Sequence, residues 1–261
     1  MPDPSVLYEL RDNVACITLH RPQAGNALDL EMAEELNAVS LRCESDRHVR
    51  AVLLRGSGNT FCAGGDVKVF VAQAELPRYL REITSHLHLA VSRFARLDAP
   101  VIAAVRGAAA GGGFSLAIAC DLVLAADSAT FLMAYTKIGM APDGGSTYFL
   151  PRLIGLKRAI ELAVTNRALS AREACDWGLV TEVVASEHLD ARAEELARSL
   201  AHGPTGAFGS AKRLLHGGWN QSLETQMEWE SRAIAAAGAT ADGREGIRAF
   251  IEKRKAKFGG M

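Results

Sequence analysis

"PVIAAVRGAAAGGGFSLAIACDLVLAA", Pro100–Ala126, holds a strand, a glycine-rich turn, a helix start and a second strand with almost no connecting chain. Pro100 stands at the first residue of its strand, where a missing N–H donor is tolerated. The same order occurs upstream: "VRAVLLRG", Val49–Gly56, reads as a buried strand, and "FCAGGDVK", Phe61–Lys68, places glycines before a helix. Strand, glycine turn and helix repeated in this way predict an α/β core with at least partly parallel strands.

At the N-terminal end, "VLYELRDNVACITLHRP" predicts two short strands around a turn at Asp12–Asn13. Asp29 is the expected N-cap of a following helix, with Leu30, Ala33, Leu36, Asn37 and Leu41 near one face. Beyond Leu156 helical periodicity dominates, through "LKRAIELAVTN", "HLDARAEELARSLAH" and "LETQMEWESRAIAAAG" to a capped, basic closing helix in "DGREGIRAFIEKRKAKF". The chain is therefore divided into a core over 1–200 and a helical region over 201–261.

With 261 residues, 49% hydrophobic, there is ample material for one main core. The balance of 29 basic and 30 acidic side chains gives no footprint for nucleic acid or an anionic membrane. Five cysteines without paired spacing predict free thiols in a reducing cytoplasm. The N-terminus carries no pattern of a secretory or mitochondrial address, and Val101–Ala126, the most apolar stretch, is interrupted by Arg106, Asp121 and four glycines.

Both glycine turns leave backbone N–H groups free to point outward before a helix. Two such donors converging on one carbonyl oxygen would stabilise the charge that develops when a thioester becomes an enolate. A glycine run before a helix also serves close packing, and a single turn does not decide between the two. No dinucleotide fingerprint, P-loop, H-E-x-x-H or C-x-x-C is present.

Taken in order, "HRPQAGNAL", "FCAGGD", "PVIAAVRGAAAGGG", "ACDLVLAADSATF", "IGMAPDGGSTYFLPRLIG" and "REGIRAFIEKRKAKF" resemble the crotonase superfamily, the enoyl-CoA hydratase/isomerase family, over essentially the whole chain. The resemblance implies a spiral of ββα units with C-terminal helices, assembly as a trimer or dimer of trimers, and an acyl-CoA thioester substrate, with coenzyme A arriving as part of it and no further cofactor or metal. It implies Gly65 and Gly112 as the oxyanion donors, and Ala63, Gly65, Asp66, Val67 and Lys68 as the segment that meets the CoA ester. The run Lys253, Arg254, Lys255 and Lys257 could meet a CoA phosphate or a neighbouring subunit, or form a solvated helix face.

The hydratases of that family carry two glutamates at positions matching Ser115 and Tyr135. A hydroxyl and a neutral phenol are in the wrong protonation state to serve as a base near neutral pH. Asp143, expected among Met140, Tyr148 and Phe149, is the remaining acid. It matches the aspartate of the family's ring-opening epoxyphenylacetyl-CoA isomerases and of some enoyl-CoA isomerases, which moves a proton between carbons. As residue types alone, Asp before Gly-Gly-Ser-Thr equally suits a helix cap. His88 matches a histidine that activates water in the 4-chlorobenzoyl-CoA dehalogenases of the same superfamily, and His86, two residues away, should point elsewhere. A noncatalytic CoA-ester binder is a further alternative. Asp121 and Asp127 read as structural, and Trp177, Trp219 and Trp229 as packing anchors.

Overall fold

The computed structural model describes residues 3–260. β1 (Val6–Arg11) and β2 (Val14–Leu19) pair antiparallel. Their connection uses left-handed backbone at Asp12 and Asn13, φ 50° and 62°, the conformation a two-residue hairpin turn needs. β3 (Ala51–Gly56), β4 (Val101–Val105), β6 (Leu122–Ala126) and β9 (Glu182–Val184) then extend one parallel sheet in the order β1-β2-β3-β4-β6-β9. All five residues of β4 are buried, as expected for a parallel strand covered on both faces, whereas β1 alternates.

A second sheet, β5 (Ala108–Ala110), β7 (Thr130–Leu132) and β8 (Leu169–Ser170), runs alongside. Isolated parallel bridges Leu28–Gly65 and Cys62–Ala109 continue its line. Each turn of the chain thus gives a strand to the large sheet, a shorter extended piece to the second layer, and a helix. The helices in order are α1 (Leu30–Ser45), α2 (Val67–Val71) with α3 (Leu76–Arg96), α4 (Gly112–Ile118), and α5 (Ser146–Ile154) with α6 (Leu156–Thr165). This is the expected spiral of ββα units. Its second-layer pieces carry the glycine turns, and every residue of α4 is buried.

Asp29 caps α1 by accepting from the Met32 N–H at 3.0 Å. The buried face of α1 is Met32, Ala33, Leu36, Ser40 and Cys43, so the expected stripe is rotated and Leu41 lies outside it. Along α3, Ile83, Leu87, Ala90, Val91 and Phe94 are buried at helical spacing.

The C-terminal third is not purely helical. After α6 come β8, α7 (Ala171–Asp176) and β9, which closes the edge of the large sheet beside β6. Then follow α8 (Leu189–Ala201), α9 (Thr205–Gly217), α10 (Leu223–Ala239) and α11 (Ala241–Ile251). α11 is capped by Thr240 and stops before the basic run. Arg254 instead folds back on Glu245 and Glu252, each at 2.6 Å, and its hydrogen bond holds the Glu245 carboxyl down at about 2. α10 buries none of its residues, and Leu223, Met227 and Ile234 on it are exposed. Trp219 is largely exposed and Trp229 partly so, its ring lying against Gly217 of α9, while Trp177 packs against the core and under the guanidinium groups of Arg158 and Arg167. Asp121 is structural as expected, joined to Lys212 at 2.6 Å and to the Val101 N–H at 2.7 Å. No helix among the described residues is long and apolar enough to cross a membrane.

Candidate active site

Both glycine turns and Asp143 line one cavity of about 500 Å³. In the bridge between Leu28 and Gly65, the Leu28 N–H donates to the Gly64 carbonyl at 2.7 Å and the Leu28 carbonyl accepts from the Asp66 N–H at 2.9 Å. Gly65 therefore turns its own N–H the other way, as the middle residue of a parallel bridge must. Gly112 is the first residue of α4, where an amide has no acceptor within the helix. Among the described residues neither amide donates to a protein acceptor.

Steric limits bear on these positions unequally, most strictly where backbone is met. A Cβ on Gly64 (φ 96°) would lie 2.8 Å from the Ala110 carbonyl oxygen, so the two turns meet backbone to backbone. On Gly65 it would strike the Phe70 ring at 2.5 Å, and on Gly112 it would reach Leu28 at 2.7 Å.

Ser115, fully buried, serves the same turn. Its Oγ donates to the Gly111 carbonyl at 3.2 Å, beside the backbone Ser115 N–H at 3.0 Å. That carbonyl belongs to the peptide whose N–H is Gly112, so two donors orient and polarise the unit that presents the amide. Tyr135 Oη lies 2.8 Å from Ser115 Oγ and 3.4 Å from the Asp143 carbonyl oxygen. Burial, then the neighbouring Asp143 carboxylate, raises the Tyr135 phenol above its ordinary range. It remains a neutral hydroxyl, a donor and not a base.

The capping alternative for Asp143 does not hold for its side chain. Gly145 is the N-cap of α5, without a side-chain cap. The Ser146 N–H (3.1 Å) and Oγ (2.9 Å) both donate to the Asp143 carbonyl, so the backbone serves the helix. The carboxylate is left to the cavity, 28% exposed, with Oδ2 3.9 Å from His88 Nε2. Met140 shares that cavity as expected, but Tyr148 and Phe149 line a neighbouring one. His88 lines the neighbouring one too, and its Nε2 accepts from the Gly144 N–H at 3.2 Å. His86 points to α1, 3.2 Å from Asn37 and 3.8 Å from Glu34, so the two histidines diverge as expected.

Ala63 and Val67 border the cavity, but Asp66 and Lys68 do not. Asp66 is buried, pairs with Arg21 at 3.0 Å and accepts from the Val69 N–H to cap α2. Arg21 also holds Asp29 at 3.0 Å, and Asn26 (φ 55°, fully buried) donates to the Ser57 and Thr60 carbonyls. These two side chains fix the loops that carry Leu28 and Gly65. Sequence reading passed over both, although a polar pair in a turn before a capped helix was the available signal. The apolar wall of the cavity is Phe70, Leu80, Ile83 and Leu87, with Lys137 at its side.

The arrangement offers an anionic oxygen two amides and offers a carbon acid one carboxylate. The model of the enoyl-CoA hydratase/isomerase family matches residues 9–261. A Rhodobacter capsulatus protein named "Probable enoyl-CoA hydratase" is 40% identical, with 98% of each chain covered. The 1,2-epoxyphenylacetyl-CoA isomerase of Escherichia coli is 38% identical, again over 98% of each. The crystal structure of an enoyl-CoA hydratase from Bacillus anthracis superposes with a TM-score of 0.92 at 35% identity, covering 98% of this chain and all of the other.

Proposed function

The chain belongs to the enoyl-CoA hydratase/isomerase family, the crotonase superfamily of acyl-CoA-processing enzymes, and on that premise we propose that it shifts a double bond by proton transfer rather than hydrating it. One observation carries this reading: the cavity holding the two free amides is bordered by Asp143, while positions 115 and 135 bring hydroxyls, not carboxylates.

In this mechanism the thioester oxygen of a 3-enoyl-CoA accepts hydrogen bonds from the Gly65 and Gly112 N–H groups. The Asp143 carboxylate removes the α-proton, and the electron pair delocalises into a dienolate whose charge rests on that oxygen. The acid so formed returns the proton to the γ-carbon, leaving the double bond between the α- and β-carbons. Each donor contributes about 10²–10³ in rate, and a positioned base about 10²–10⁴. Neither suffices alone.

Coenzyme A enters only as part of the substrate, with no other cofactor. The exposed apolar face of α9 to α11, over 201–261, packs against further copies in a homotrimer or dimer of trimers and closes the site, in the cytoplasm. Asp143→Asn should lower turnover of a 3-enoyl-CoA by about 10²–10⁴-fold while leaving the affinity for the ester unchanged. Retained turnover contradicts the assignment.

A second reading has Asp143 attack an aromatic ring while His88 activates water, and the 3.9 Å between their side chains favours it. Against it, the His88 Nε2 lone pair already accepts the Gly144 N–H. Chloride release from 4-chlorobenzoyl-CoA decides between the two.

A further inference from the structure

A second cavity, of about 640 Å³, begins where the first ends. Along α3, Leu80, Ile83, Thr84 and Leu87 line the first, and the next turns, His88, Val91, Ser92, Ala95 and Arg96, line the second. The opposite wall divides at the same level. Asp143 borders the first cavity; Gly144, Gly145, Tyr148 and Phe149 border the second. The Gly144 N–H to His88 bond marks the joint. The two compartments therefore lie end to end, with Asp143 between them, and α9 closes the second through Arg213, His216 and Gly217.

Their charged groups differ. The first is lined by both the Asp143 carboxylate and Lys137, whereas among the described residues no carboxylate lines the second, which brings Arg96 and Arg213. Arg96 there is exposed and, among the described residues, bonds only to Ser92, through its carbonyl and Oγ, so its guanidinium has no carboxylate partner. Arg213 pairs with Asp98 outside the lining and reaches Ser210 Oγ at 3.2 Å. Burial lowers the His216 pKa, which leaves the positive charge on the two arginines. Val91, Tyr148 and Phe149 supply an apolar passage leading to them.

We propose that the second compartment receives the far end of the acyl group and that this end carries a carboxylate, so that the preferred substrates are medium-length ω-carboxyacyl-CoA thioesters held by Arg96 and Arg213. This rests on the thioester binding between Gly65 and Gly112 as proposed above. The chain length follows from α3: nine residues separate Leu87 from Arg96, about 13 Å of axis, and helical side chains lean back towards the N-terminus. A carboxylate several carbons beyond the reacting centre meets a guanidinium there. A terminal methyl would leave Arg96 without an anionic partner.

The test is calorimetric binding to the intact protein of suberyl-CoA and octanoyl-CoA, which have the same chain length and, being saturated, undergo no net conversion by double-bond migration. Suberyl-CoA should bind about tenfold more tightly at low salt, as expected for a partly screened ion pair. Arg96→Gln and Arg213→Gln should each erase most of that preference and leave octanoyl-CoA binding unchanged. Should Arg213→Gln misfold on losing Asp98, Arg96→Gln alone carries the test, since its partners are only Ser92 atoms. Equal affinities, or a preference that survives the Arg96 substitution, overturn the proposal and leave the acyl-CoA reading standing. Failure of both thioesters to bind overturns that reading and this one together.

Discussion

The two halves of the active cavity are built from different material. On the oxyanion side everything is backbone: Gly65 and Gly112 present amides, and Gly64, Gly111 and Gly113 stand where a Cβ would meet neighbouring backbone or where φ is positive. On the acid side the working groups are side chains, the Asp143 carboxylate and the Tyr135 hydroxyl, with Ser115 joining the two halves. The backbone half fixes which group of the substrate is gripped. The side-chain half sets which reaction follows, and a single substitution there can change it.

Gly113→Ala should have the largest effect if the backbone half is sterically fixed. The new methyl would lie 2.3 Å from the Cys62 carbonyl oxygen, and the forced movement should cost about 3 kcal/mol in a denaturant titration. A loss near zero would show that the turn is not closely packed. Gly112→Ala meets only the tip of Leu28 and should preserve folding while lowering kcat about 10²-fold by disturbing one amide.

Ser115→Ala tests the link between the halves. With the hydroxyl on the Gly111 carbonyl gone, kcat should fall about tenfold with KM nearly unchanged, the equivalent of one modest hydrogen bond. Rescue by Thr, which restores a hydroxyl, separates this positioning role from packing. The smallest effect concerns pH. A raised phenol pKa means that Tyr135 keeps its proton beyond the ordinary tyrosine value, so the kcat profile should show no alkaline break below about pH 10 that disappears in Tyr135→Phe. Such a break would identify the phenol as an ionising participant.

The same contrast governs what the sequence makes legible. Glycines forced by close approach stand out as "CAGGD" and "AAAGGG", and the Asp12–Asn13 turn and the Asp29 cap follow from local backbone rules. Features made by tertiary contact do not. β9 is three half-buried residues among helices, and only pairing with β6 defines it as a strand. The α1 stripe differs from the expected one because Met32 and Cys43 are buried and Leu41 is exposed. For Asp143, cap and acid look alike in sequence. Only the Ser146 bonds to its carbonyl, rather than to its carboxylate, separate them. Nor does residue order reveal that α3 passes along two cavities and changes from leucines to an arginine as it does so.

Proton exchange at the α-carbon tests the central claim most directly, because it needs both halves and no double bond. A saturated acyl-CoA incubated in D2O with the unaltered protein should take up deuterium at that carbon, and with Asp143→Asn it should not, although the thioester still binds. Exchange at undiminished rate in the Asn variant would show that the proton leaves by another route and that Asp143 is a bystander to the chemistry.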